Sequence, residues 1–112
     1  MTVNEADRRS FLFKRLVLMF HTAAMQQLGK LYDPVTGSVQ RDLEQAALSI
    51  DTLDMLFEKS RGNLTVDEEN FLKHIISELK LNYVDEVGRP ESQPVSAENK
   101  PDEQQSTQTA AT

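Results

Sequence analysis

The chain has 112 residues, carries a net charge of −6 and contains no cysteine. This length fits one domain, and the lack of cysteine excludes a disulfide framework. Nucleic-acid binders normally present a basic patch, because phosphate contacts dominate their affinity. We therefore expect this acidic chain to bind no nucleic acid.

The N-terminal residues bear on where the protein resides. Arg8 and Arg9 precede an apolar stretch, as in a twin-arginine export signal. Lys14 and Arg15 interrupt that stretch, and the uncharged run 16–20 is shorter than the roughly 7–15 residues of a signal core. It is also shorter than the roughly 20 residues of a membrane span. We expect a cytoplasmic protein without membrane association, whose residues 1–9 form a flexible N-terminus.

The first predicted helix runs from Ser10, as the N-cap, to Leu28. Gly29 follows and supplies the left-handed position that commonly ends a helix. The connector then contains a predicted turn over 33–37, in which Pro34 and Gly37 are the turn-forming residues.

Two faces of this first helix are apolar. The broader stripe consists of Leu12, Phe13, Leu16, Met19, Phe20, Ala23, Ala24 and Leu28. The narrower stripe, Phe11, Leu18 and Met25, repeats every seven residues on the other side. A helix that is apolar nearly all round is buried nearly all round. We expect the broad stripe to pack on the other helices, which leaves Phe11, Leu18 and Met25 as the candidate interface of a homo-oligomer.

The second helix is predicted to begin between Ser38 and Asp42, with Asp42 as a capping residue, and to end near 60–61. Gly62 then ends it. Its apolar residues follow the spacing of one buried stripe: Leu43, Ala46, Ala47, Ile50, Leu53, Leu56 and Phe57.

The third helix begins at a capping box, in which Thr65 and Glu68 satisfy each other's backbone amides. Its stripe continues to Val84 through Phe71, Leu72, Ile75, Ile76, Leu79 and Tyr83.

These elements predict an all-α fold. The short link 62–64 allows only a tight antiparallel hairpin, so we expect a three-helix bundle in which this hairpin packs on the long first helix, within a domain spanning 10–84. Residues 85–112 are rich in Pro, Glu, Ser, Gln and Thr and contain few apolar side chains that could form a core. They are predicted to form a disordered acidic tail.

No pattern in the sequence indicates catalysis. His21 and His74 lie on different helices and lack the spacing of metal ligands. The acidic row Glu44, Asp51 and Glu58 is typical of the solvent-exposed face of an amphipathic helix, although such rows also bind cations. The residues of the 33–37 loop are those that a tight turn requires, although loops also bind ligands. We expect no enzyme activity, no metal and no cofactor.

Several motifs together resemble one family. They are Leu28-Gly29, Asp33-Pro34-Val35-Thr36-Gly37, Asp42-Leu43-Glu44-Gln45-Ala46, Ile50-Asp51-Thr52-Leu53, Lys59, Gly62-Asn63-Leu64-Thr65 and Tyr83. Over about residues 11–84 the chain is similar to a small bacterial family catalogued as domain of unknown function 1844. The 30–32 stretch departs from that family's pattern. The resemblance implies a compact helical bacterial domain with no assigned activity, and it transfers no catalytic residue.

The sequence thus favours a non-enzymatic helical protein that self-associates through its first helix, as a scaffold or adaptor. Two alternatives remain. One is a module that binds a different protein through the same stripe. The other is a helical domain that binds a ligand or metal through the acidic row and the 33–37 loop.

Overall fold

The computed structural model describes residues 4–32 and 34–89. They form three α-helices in the order α1 (Glu5–Gln27), α2 (Leu43–Lys59) and α3 (Val66–Val87), and each helix packs against the other two. The predicted all-α, three-helix architecture is confirmed. Most of the predicted tail, 90–112, lies outside the described residues, as do Asp33 of the predicted turn and residues 1–3.

The helices run up, down and up. Lys14 in the N-terminal half of α1 pairs with Asp67 at the start of α3, and Lys30 after α1 pairs with Asp85 near the end of α3. These two pairs show that α1 and α3 run in the same direction. The hairpin partner α2 therefore runs antiparallel to both.

The ends of α1 and α3 differ from the prediction. Asn4 is the N-cap of α1, and its side chain accepts a hydrogen bond from the Asp7 amide at 2.7 Å. The prediction of Ser10 as N-cap is wrong, because Asn caps at least as well and Glu5 and Asp7 favour the positive end of the helix dipole. Residues 5–9 are accordingly helical. At the other end of the domain, α3 continues beyond 84.

The other predicted caps are present. Asp42 accepts a hydrogen bond from the Gln45 amide at 3.2 Å and caps α2. The capping box of α3 is complete, because the Thr65 hydroxyl accepts from the Glu68 amide at 3.1 Å and the Glu68 carboxylate accepts from the Thr65 amide at 2.9 Å. After α1, Gly29 has φ +81°, where an L side chain would be strained.

The core lies between the three helices. Its buried members are Val17, Ala24, Leu28, Ala46, Ile50, Leu53, Leu72, Ile75, Ile76 and Leu79. The contributions from α2 and α3 come from their predicted stripes. Burial of this apolar surface is the main source of stability in so small a domain.

The core face of α1 is not centred on the predicted broad stripe. Its main members are Phe13, Val17, Phe20, Ala24 and Leu28, with Met25 at its edge, and Val17 is fully buried although the prediction omitted it. Among the predicted members, Leu12, Leu16 and Met19 are exposed. The buried set keeps a regular spacing of three and four residues, so helix geometry turns these three side chains away from α2 and α3.

Candidate interaction surface

The side of α1 turned away from α2 and α3 is a continuous surface that we call the outer face. It borders a shallow depression of about 610 Å³. The residues around this depression are Phe11, Lys14, Arg15, Leu18, Met19, Thr22, Ala23 and Gln26. All of them belong to one helix, so the depression is open and not enclosed. Small molecules bind in enclosing clefts, whereas an open apolar surface of this kind suits a second helix.

Three large apolar side chains border the depression of the outer face. Phe11 is 64% exposed, Leu18 is 45% exposed and Met19 is 57% exposed. Phe11 and Leu18 therefore lie where the narrow stripe predicted them. Met25, the third predicted member, packs partly against the core, so its assignment to the narrow stripe is wrong. Met19, assigned to the broad stripe, occupies the outer face instead.

The N-terminal half of α1 is fixed to the start of α3 by a charged side chain. Lys14 forms an ion pair with Asp67, and its Nζ lies 5.6 Å from the centre of the Phe71 ring. Arg8 and Arg15 form no ion pair with any described residue. The basic residues near the N-terminus thus have different roles, and Lys14 is committed to the fold.

Glu68 forms a second contact between these helices. The Thr65 amide donates a hydrogen bond to its buried carboxylate at 2.9 Å, and this bond, together with the nearby Ser10 hydroxyl, lowers the pKa of Glu68 below its ordinary value of 4.5. Ser10, expected at the N-cap, therefore contacts α3 from within α1. Hydrogen bonds to the ionised form outweigh the opposing effect of burial.

The lowered pKa of Glu68 predicts a pH-dependent stability. The stabilisation is fully present above about pH 4.5, the ordinary pKa, and is lost as the pH falls through the lower pKa of the folded state. Glu68→Gln keeps an acceptor for the Thr65 amide but cannot ionise. We expect its melting temperature to fall less than that of the wild type on acidification from pH 6 to pH 3. Parallel melting curves for the two proteins would contradict this assignment.

The end of α3 carries a buried carboxylate that sequence reasoning missed. Glu86 is 5% exposed, and its oxygens lie 2.8 Å from Lys30 Nζ, 3.7 Å from Arg41 Nε and 3.5 Å from Arg89 Nε. Arg41 also donates a hydrogen bond to the Glu86 carbonyl oxygen at 2.9 Å. Glu86 was assigned to the tail, but its position seven residues after Leu79, on the core face, was a usable signal.

This cluster holds the connector between α1 and α2 against α3. The hydrogen bond from Lys30 to Glu86 raises the pKa of the Lys30 amine despite its partial burial. Lys30 in turn lowers the pKa of Asp85, which is more exposed. A second polar link joins α1 to α2, where the buried Ser49 hydroxyl donates to Gln27 Oε1 at 2.7 Å.

The histidines occupy separate places. His21 is partly buried, with Nε2 3.4 Å from Glu78 Oε1 and no hydrogen-bond geometry to it. His74 is exposed on α3. In the stretches 4–32 and 34–89, no three His, Asp or Glu side chains converge closely enough to hold a metal ion.

The acidic row and the loop also have defined positions. Glu44, Asp51 and Glu58 are exposed along α2, and Glu58 pairs with Arg61 at 2.8 Å. Residues 34–37 form a turn that includes Pro34, and Gly37 has φ +75°. Gly62 follows α2 with φ +86°. The three glycines predicted to end helices or turns thus all adopt the left-handed conformation.

The fold and the outer face define a small all-α domain of three mutually packed helices, in which α1 keeps an exposed apolar surface that neither α2 nor α3 covers. The family model Domain of unknown function (DUF1844) matches residues 10–85, and the chain belongs to this family. The comparisons with curated proteins and with solved structures gave no significant match. Among the helices described, none combines the length and apolarity needed to cross a membrane.

Proposed function

We propose that this protein is a non-enzymatic bacterial scaffold or adaptor of the cytoplasm that self-associates through the outer face of α1. The observation that carries the proposal is the exposure of Phe11, Leu18 and Met19 on a helix whose opposite side already supplies the core. Clustered apolar side chains of this size on a monomer commonly mark a binding surface.

The size of the domain supports this proposal. One core in a domain this small supplies only about 3–5 kcal/mol of net stability. Association stabilises the folded state by mass action, because only the folded chain presents the outer face. Of the two cationic residues that border the depression, Lys14 is held by Asp67, and no carboxylate lines the depression beside Arg15. A binding surface therefore accounts for this side of the molecule better than a catalytic one.

Leu18→Glu is the direct test of the proposal. We expect the wild type to show a concentration-dependent increase in mass by sedimentation, and the variant to remain monomeric. A carboxylate at the centre of an apolar contact would be desolvated without a partner, which strongly opposes association. Leu18 is partly exposed, so the free energy of unfolding should fall by about 1 kcal/mol or less, and circular dichroism should report unchanged helicity.

Leu81→Glu is the matched control. Leu81 is a 73% exposed leucine on α3, away from the outer face, so its substitution adds the same charge elsewhere. The control should associate like the wild type. A wild type that stays monomeric at millimolar concentration would overturn the proposal, and so would equal association of the two variants.

A further inference from the structure

We propose that two copies of the chain pack α1 against α1 in antiparallel orientation, about a two-fold axis between Leu18 and Met19. This inference rests on the proposed self-association and specifies its occupant and register. About that axis Leu18 faces Met19 of the second copy, and Phe11 faces Gln26. Lys14 likewise faces Ala23, and Arg15 faces Thr22. Every residue around the depression therefore meets another residue of the same set, as a two-fold interface requires.

The shapes of the two halves of the outer face favour this orientation. The N-terminal half carries the bulky Phe11, whereas the C-terminal half carries Thr22 and Ala23, which are small. In the antiparallel pair the small Thr22 and Ala23 of each copy face the long side chains Arg15 and Lys14 of the other, and Phe11 faces Gln26 rather than a second Phe11. A parallel pair would set Phe11 against Phe11 and leave the small residues facing each other across a gap. Large side chains opposite small ones interdigitate at the density of protein interiors.

The charges favour the same orientation. A parallel pair places Lys14 beside Lys14 and Arg15 beside Arg15. In the antiparallel pair the equivalent residues are separated along the axis by roughly 10–13 Å, at 1.5 Å per residue, which exceeds the Debye length of about 8 Å at physiological salt. Charge repulsion across the contact is then largely screened.

The helix ends supply an attraction as well. The last turn of α1 contains no basic residue, although its carbonyl groups form the negative end of the helix dipole. Arg8 is exposed on the first turns of α1 and forms no ion pair with the described residues. The antiparallel register brings Arg8 of one copy to the end of α1 in the other, beside Gly29. Each copy thus adds a cation to this end of the other helix, where Lys30 and Arg41 are already paired with Glu86.

The expected contact is small. Phe11 and Gln26 lie about 22 Å apart along α1, and one helix face of that length buries less than the standard area of about 800 Å² per partner. We therefore expect a dimer that dissociates on dilution.

Cysteine cross-linking tests the register cleanly, because the full chain contains no cysteine of its own. Phe11→Cys and Gln26→Cys variants are oxidised separately and as an equimolar mixture. We expect the mixture to form a disulfide-linked heterodimer, whereas each variant alone should stay reduced because its two copies of that residue lie about 22 Å apart. The pair Arg15→Cys and Thr22→Cys repeats the test closer to the axis, and Leu81→Cys mixed with Phe11→Cys reports random collision. Circular dichroism of each reduced variant checks its fold.

The outcomes separate this inference from the proposed function. Cross-linking of Phe11→Cys with itself, in a wild type that sediments as a dimer, indicates a parallel pair; it overturns the register and leaves self-association intact. A dimer that neither mixed pair cross-links above the Leu81→Cys background overturns both. A wild type that remains monomeric at millimolar concentration also overturns both.

Discussion

Val17→Asp is expected to unfold the protein, whereas Leu16→Asp is expected to leave it folded. Val17 is fully buried between the three helices, and Leu16, its neighbour in sequence, is 41% exposed. A buried carboxylate without a partner costs several kcal/mol, which exceeds the roughly 3–5 kcal/mol that a domain of this size has in total. Helix propensity cannot explain this difference, because leucine loses more propensity than valine on substitution by aspartate, which would favour the opposite order.

Circular dichroism and urea denaturation measure this difference directly. The wild type and Leu16→Asp should show a cooperative transition, and Val17→Asp should show little helix even without urea. If Leu16→Asp were the more damaging variant, the broad stripe predicted from sequence would describe the core face of α1 and the structure would not.

Glu86→Ala is expected to lower the free energy of unfolding by about 2 kcal/mol. Removing one partner of a buried ion pair typically costs about 3–5 kcal/mol. Lys30 and Arg41 retain about a fifth of their side-chain exposure, so solvent compensates part of that loss. The connector between α1 and α2 would lose its main attachment to α3.

Asp85→Ala is the control for this variant. Asp85 also contacts Lys30 and Arg89, but it is exposed, and its substitution brings the same residue type to the same helix turn. Urea denaturation should show a clearly smaller loss for Asp85→Ala. Equal losses would indicate that the burial of Glu86 has no energetic importance.

The sequence predicted α2, α3 and their caps because their signals are local and mutually consistent. Thr65 and Glu68 stand three residues apart ahead of an apolar run, and a capping box needs only those residues. Most apolar residues of α2 form one set at helical spacing, and only Leu48 and Met55 lie on the opposite side, so one face was clearly the core face.

The orientation of α1 could not be predicted with the same certainty, because the run between residues 11 and 20 is mostly apolar. Two sets satisfy the same spacing: one contains Phe13, Val17 and Phe20, and the other contains Leu12, Leu16 and Met19. Only contacts with α2 and α3 distinguish them. The same ambiguity placed Met25 in the candidate interface and kept Met19 out of it.

The cluster around Glu86 depends on tertiary structure in a different way. Lys30 and Arg41 stand more than forty positions before Glu86 in the sequence, and each of the three carries a charge that normally faces water. Composition assigned the region after 84 to a tail. The pairing of Glu86 with Lys30 and Arg41 needs the fold to bring the connector beside the last turn of α3.

The shared direction of α1 and α3 has a consequence for assembly. Arg89 follows α3 at the end of the bundle where Gly29 follows α1. In the proposed antiparallel pair, the C-terminal ends of the two α3 helices would therefore lie at opposite ends of the dimer. The Arg89 residues of the two copies would stand at opposite ends of the paired helices, separated by about the length of those helices.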